Sequence, residues 1–264
     1  MPSTNVFTLR LQPWSAWLGK LNSDYPAGSN PGHIPASLFP TIAAEVMRQC
    51  DPSDGLDDGI ITDPNMCHFQ PEALLCNGSS STAAPCLTST QLDTLYQIYH
   101  PYVETENTFV APGMAVGSEV EWPVLLGDPN GGCPLGFGYV QNYMGKGPGW
   151  SWKDFDYSII QEADATDPGA SSADNYDLSP FQARGGKLVQ YHGYADAYIP
   201  PGMSIHFYER VVHTLVPKGL ELDDWFRLFM VPGGGHCAGS ANGAPWYFAG
   251  DIATLIRFRV PLTC

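Results

Sequence analysis

Basic residues are scarce in this sequence. Its 264 residues hold 12 Lys and Arg against 27 Asp and Glu, a formal net charge of −15. A surface so short of cations has no electrostatic means of holding phosphate backbones or anionic lipid, so neither nucleic acid nor membrane is expected as a partner. Long apolar runs are missing too: none approaches the ~18 residues of a membrane-spanning helix. The opening stretch, MPSTNVFTLRLQPWSAWLGKL, lacks the compact apolar segment and the small-residue cleavage site of an export signal. No internal repeat stands out. The G-x-S-x-G pattern that places a hydrolase serine on a strand-to-helix elbow occurs nowhere.

What is present is a globular composition. Hydrophobic residues make up 44% and aromatic residues 12%, enough to bury a sizeable core. Charged residues are only 15%, and 28 Gly and 24 Pro point to a loop-rich chain rather than a helical bundle. Seven cysteines suggest an oxidising compartment, and the odd count leaves at least one without a partner in this chain. A single glycosylation triplet, NGS, lies at 77–79. Oxidising chemistry without an export signal leads to the expectation that these residues are a piece of a longer protein.

Residues 1–175 read as irregular and turn-rich, with two helices. FPTIAAEVMRQ (39–49) opens on a proline and spaces its apolar residues helically. TSTQLDTLYQIY (88–99) places Thr88 three residues before Gln91, the capping-box arrangement, and lines Leu92, Leu95, Tyr96 and Tyr99 along one stripe. The last 85 or so residues differ. GGKLVQYHG (185–193) reads as a buried strand, GMSIHFYERVVHTLVP (202–217) as a helix ended by Pro217 and Gly219, and WFRLFMV (225–231) as a second apolar strand. Strand, helix, strand is a βαβ unit, which implies a parallel sheet and an α/β fold.

In open α/β sheets, functional groups gather beyond the carboxyl ends of the strands. Asp196 lies just beyond the first strand and His236, in VPGGGHCAGS (231–240), just beyond the second. Acid before histidine is the closing order of a Ser-Asp-His triad, in which imidazole accepts the proton of a nucleophilic hydroxyl and the carboxylate fixes its tautomer. Each residue taken singly reads as well as a turn or loop residue. His192 reads as a structural residue closing its strand or as lining the site. Ser204 reads as a helix N-cap, and Ser240 follows His236 too closely to be its nucleophile. Residues 1–175 offer no strand–elbow–helix setting for a serine.

Together, ARGGKLVQYHGYADAYIPP (183–201) and VPGGGHCAGS (231–240) resemble the tannase and feruloyl esterase family of secreted esterases. QCDPSDGLDDGIITDPNMC (49–67), APGMAVGSEVEW (111–122), WSWKDFD (150–156) and LQPWSAWL (11–18) add to the likeness, which runs over roughly residues 8–245. The resemblance implies an α/β-hydrolase domain with a large lid inserted between nucleophile and acid. On this reading the chain is an incomplete α/β-hydrolase domain with a large irregular α+β lid. Residues 1–20 would be a remnant of the hydrolase domain, 21–175 the lid, and 176–264 the C-terminal βαβ part. His236 would be the general base, Asp196 its orienting acid, and Cys237 a disulfide clamp to the nucleophile's loop. That loop would lie in an N-terminal segment or separate chain carrying the Ser. The stretch from about 246 to Cys264 departs from the family at its end, and Cys133 and Cys264 have no assigned partners.

Residues 50–67 crowd Asp51, Asp54 and Asp58 into eight positions, with Gly55 and Gly59 for tight turns. Spacing alone leaves an acidic surface loop and a Ca²⁺ site equally open, since this is not the EF-hand pattern. The resemblance implies Ca²⁺, held by the carboxylates of Asp51, Asp54 and Asp58 and the carbonyls of Leu56 and Ile60, with Asp57 and Asp63 as bystanders. Cys50–Cys67 would cross-link the ends of this loop and Cys76–Cys86 would close a second. The implied activity is hydrolysis of feruloyl or galloyl esters from plant material by a secreted serine esterase, negligible in this chain alone for want of the serine. The alternative is a secreted calcium-stabilised polysaccharide-binding module with vestigial catalytic residues.

Overall fold

A computed structural model of the chain describes residues 8–76, 85–131 and 134–236. The chain opens with α1 (Thr8–Asn22) and α2 (Phe39–Cys50). α3 (Ser89–Tyr99) follows, then the antiparallel pair β1 (Tyr102–Glu104) and β2 (Thr108–Ala111). Three more helices complete this part: α4 (Trp122–Leu126), α5 (Pro134–Asn142) and α6 (Tyr157–Thr166). Beyond α7 (Ser179–Ala183) come β3 (Leu188–Gly193), α8 (Gly202–Leu215) and β4 (Phe226–Val231).

The two expected helices form for the expected reasons. α2 carries Pro40 in its first turn, where the missing N–H has no intrahelical partner to lose, and buries Phe39, Ile42, Ala43, Val46 and Cys50. In α3 the Thr88 hydroxyl accepts from Gln91 N while the Gln91 side chain accepts from Thr88 N, completing the capping box. Its buried stripe is Leu92, Leu95 and Ile98, with the two tyrosines only half-buried.

The segment before residue 175 is more helical than its Gly and Pro content suggests. α1 buries Leu11, Trp14 and Leu18 at helical spacing although Pro13 lies inside it. α5 contains two glycines, and Gly136 shows why: a Cβ there would sit 2.5 Å from Ser15 Oγ and 2.7 Å from Ala16 N. The glycine lets α1 and α5 approach backbone to backbone.

One large core joins α1 to α6 and includes Ala197 and Met203. α1 contributes Leu11, Trp14 and Leu18 to it, so a boundary at residue 20 does not coincide with a change of core. A second, smaller cluster of Phe207, Val211, Leu215, Leu222, Trp225 and Phe226 lies between α8 and the sheet.

β3 and β4 pair in parallel, Leu188 opposite Phe226 through Gly193 opposite Val231, as the βαβ reading requires. Gly219, at φ +79°, ends the short turn after α8. No residue of β3 is fully buried, so the reading of 185–193 as a buried strand does not hold. α8 covers one face, whereas the other carries Val189, Tyr191 and Phe229 at 46%, 39% and 51% exposure. Successive strand residues point to opposite faces, so two strands with one covered face must alternate.

Candidate active site

The carboxyl ends of β3 and β4 touch through two glycines. A Cβ on Gly193 would lie 2.1 Å from the carbonyl oxygen of Gly234, so no other residue fits there without backbone movement. Gly233 takes φ +63°, a left-handed turn open to glycine. Tyr194 N then donates to Val231 O (2.9 Å) and Ala195 N to Gly234 O (2.8 Å), which ties the two loops together.

This brings Asp196 and His236 into contact. His236 Nδ1 lies 3.1 Å from Asp196 Oδ2 and 3.2 Å from Oδ1. The acceptor is a carboxylate, so Nδ1 carries the proton and Nε2 keeps a lone pair. Asp196 is 4% exposed, while the His236 side chain is 30% exposed and stacks against Tyr198 with ring centroids 4.7 Å apart. A buried anion thus holds a base whose far edge reaches solvent.

The electrostatics agree. The hydrogen bond to Asp196 raises the His236 pKa above its usual value, against the opposing effect of partial burial. Burial by itself would raise Asp196, but hydrogen bonds from His192 and His236 outweigh it and hold the carboxyl below its usual value.

His192 does more than close its strand. Its Nε2 lies 2.9 Å from Ile199 O and 3.1 Å from Asp196 Oδ2, two acceptors that require Nε2 to donate. Its Nδ1 lies 2.7 Å from Ser204 Oγ, which in turn accepts from Gln190 Nε2 (2.9 Å). Nδ1 and the Ser204 hydroxyl thus share a hydrogen bond on the side of the ring away from Asp196. Ser204 is therefore not a helix cap: Pro201 holds that position, and Ser204 sits inside α8, 6% exposed, bracing His192. Ile199 N closes the loop onto Asp196 Oδ1 at 2.9 Å.

Comparison with known proteins identifies the family. A profile of the family described as "Tannase and feruloyl esterase" matches residues 1–120 and 161–256. The chain belongs to the tannase and feruloyl esterase family. It is 34% identical over 240 residues to a probable feruloyl esterase B-1 of Aspergillus oryzae, covering 89% of this chain and 43% of that protein. It is 32% identical over 227 residues to a probable feruloyl esterase B-1 of Aspergillus terreus, covering 84% and 42%. The crystal structure of feruloyl esterase B from Aspergillus oryzae superposes with a TM-score of 0.80 at 32% identity, over 88% of this chain and 46% of that one. Tannin acyl hydrolase from Aspergillus niger shares the fold, with a TM-score of 0.62 at 20% identity. The chain spans less than half the length of these relatives.

The tannase and feruloyl esterase motifs fall in contrasting surroundings. The aspartate-rich loop is bound at both ends by the Cys50–Cys67 disulfide, and Cys76–Cys86 closes the second loop. Within the first, Asp51 is 5% exposed and accepts from Gly59 N (2.9 Å) and Ile60 N (3.2 Å). Asp54 accepts from Leu56 N (2.9 Å) and from the Thr62 hydroxyl, and Asp58 accepts from Ile60 N (3.1 Å). The donors are hard oxygens of the kind Ca²⁺ takes. In this conformation they turn onto the loop's own amides, and among the described residues no three His, Cys, Asp or Glu side chains converge to hold a metal. Asp63 instead caps the turn that follows, accepting from Asn65 N at 3.0 Å. Cys133, Cys237, Ser240, Cys264, the 77–79 triplet and the 246–264 tail lie outside the described residues.

Two acidic residues of the segment 117–122 were not singled out as site residues by sequence. Glu119 is 1% exposed, and Glu121 reaches the loops of both Asp196 and His236. The acidic pair in GSEVEW carries no spacing signal, because both partners of Glu121 are backbone amides far along the chain.

Proposed function

We propose that this chain carries the acid–base half of a serine carboxylic ester hydrolase acting on esters of aromatic acids, feruloyl or galloyl, from plant material. The observation that carries the reading is the 3.1 Å contact between Asp196 and His236 at adjoining strand ends of a parallel pair. Family membership supports the ester-hydrolase class, and the names of the relatives support the acyl group.

Asp196 is the orienting acid and His236 the general base. The nucleophilic serine would give its proton to His236 Nε2 as its oxygen attacks the ester carbonyl carbon. Asp196 stabilises the imidazolium that forms. The tetrahedral intermediate then collapses, the carbon–alkoxide bond breaks, and the alcohol leaves with the proton from Nε2. Water repeats the sequence on the acyl-enzyme. Among the described residues no serine hydroxyl hydrogen-bonds to His236. With no G-x-S-x-G pattern in the sequence, we assign the serine to a segment beyond these residues. The chain is then an incomplete α/β-hydrolase domain under a large lid. The exposed face with Val189, Tyr191 and Phe229 supports this, because parallel sheets are ordinarily covered on both sides. Cys237 would clamp the base loop to the serine's loop.

Ca²⁺ belongs to the same proposal. Asp51, Asp54 and Asp58, with the carbonyls of Leu56 and Ile60, would hold it and brace the lid, away from the reacting atoms. Its chemistry there is charge neutralisation. The family and the two disulfides support secretion.

The test is turnover of methyl ferulate and methyl gallate by the purified chain, with His236 followed by NMR. Negligible turnover is expected, together with a raised His236 pKa that falls in Asp196→Asn. Robust turnover abolished by His236→Ala would overturn the assignment of the serine. A His236 titration indifferent to Asp196→Asn would overturn the acid–base pair itself.

A further inference from the structure

We propose that Glu121 is a positioning residue that sets the distance between the acid and the base. The inference rests on the reading of Asp196 and His236 given above. One carboxylate spans the two loops: Oε1 accepts from the backbone N–H of His236 at 2.9 Å, and Oε2 accepts from that of Ala197 at 3.1 Å. The first amide belongs to the base and the second to the residue after the acid. They lie 115 and 76 residues further along the chain than Glu121, so no local geometry supplies these bonds.

The carboxylate stands on a firm support. It ends the turn Glu119–Glu121 and leads into α4, whose first residue, Trp122, is fully buried and donates from Nε1 to Ser118 Oγ at 3.1 Å. Glu119, two residues earlier, is anchored by Tyr99 Oη (2.7 Å) and Gly117 N (2.8 Å). Ala197 is itself fully buried. Bonds from amides to a carboxylate are about twice as strong as neutral ones, and a partly buried setting strengthens them further. With each oxygen occupied by an amide, Glu121 is not placed to trade protons with a substrate. It holds the backbone from which the reacting groups project. Among the described residues, the groups facing His236 are Asp196 at Nδ1, Glu121 at its amide and Tyr198 across the ring.

The test compares Glu121→Ala with Glu121→Gln in the whole chain. Two readouts are taken: amide hydrogen exchange at Ala197 and His236, and NMR titration of the His236 imidazole, assigned by its loss in His236→Gln. Glutamine removes the charge but keeps one acceptor oxygen, so one amide stays protected and the other exchanges at least tenfold faster. Alanine frees both amides and lowers the His236 pKa further than glutamine does. If Glu121 acted by charge alone, the two variants would shift His236 equally and leave both amides protected, and the proposal would fall. Should the alanine variant not fold, the glutamine variant decides by itself: protection retained at both amides refutes the clamp. Asp196→Asn separates the two levels. If that variant leaves His236 unshifted, the acid–base reading fails. If it shifts His236 while Glu121→Gln changes no amide, only the clamp fails.

Discussion

Replacing Glu119 with glutamine should change how stability depends on pH. Glu119 Oε1 accepts two hydrogen bonds, while Oε2 is buried with no hydrogen-bond partner among the described residues. Burial outweighs the bonds and lifts the carboxyl from 4.5 to about 7. The unfolded chain therefore releases this proton near 4.5, and the folded chain keeps it until about 7. Between the two values the folded state binds more protons, so stability falls as pH rises. The contribution is fully present below the unfolded value and is lost through the folded one. A displacement of this size corresponds to roughly 3 kcal/mol, a large share of the ~5–15 kcal/mol that holds a typical domain together. Glutamine stays neutral throughout. The difference between Glu119→Gln and the parent chain should therefore move by about 3 kcal/mol in favour of the variant from below pH 4.5 to well above 7. Urea unfolding followed by tryptophan fluorescence measures it, and other groups common to both proteins, His236 and Glu121 included, cancel in the comparison. A difference that stays flat across that range refutes the argument from burial.

Other perturbations probe the remaining contacts. Gly193→Ala drives a Cβ to within 2.1 Å of Gly234 O, and a loss of about 3 kcal/mol or more is expected, with the His236 pKa returning toward the ordinary histidine value by NMR. His192→Phe removes the donor to Asp196 while leaving Asp196 buried, so the carboxyl pKa should rise in ¹³C titration and unfolding should be easier by roughly 1–3 kcal/mol. Added Ca²⁺ should raise the melting temperature of the parent chain and have little effect on Asp54→Asn; equal responses would discard the metal loop. Reducing Cys50–Cys67 opens a loop with a sequence separation of 17 and should cost about 3 kcal/mol in denaturant unfolding.

The parts legible in the sequence were those with local physics. Thr88 and Gln91 announce a helix start three residues apart, and the rhythm of the last 85 or so residues announces a parallel pair. The spacing of Asp196 and His236 beyond two strand ends placed both near one rim. α1 and α5 were hidden because Pro13, Gly136 and Gly138 argue locally against helix, and only the close approach at Gly136 explains its glycine. The apolar content of 185–193 reads as a buried strand, but composition does not reveal which strands stand next to it. Glu121 was invisible for a different reason. Its partners are peptide N–H groups, which every residue but proline carries, so no side-chain pattern marks them.

The inclusion of Ala197 and Met203 in the same core as α1 to α6 has a practical consequence. The segment from α1 to α6 cannot be exchanged between homologues as a detachable module with a seam just before β3. Such a chimera would combine one parent's acid loop with the other's packing surface, and mismatched volumes there would be transmitted straight to the carboxylate. Grafts that carry residues 195–203 along with the donor's α1 to α6 keep that joint within a single parent.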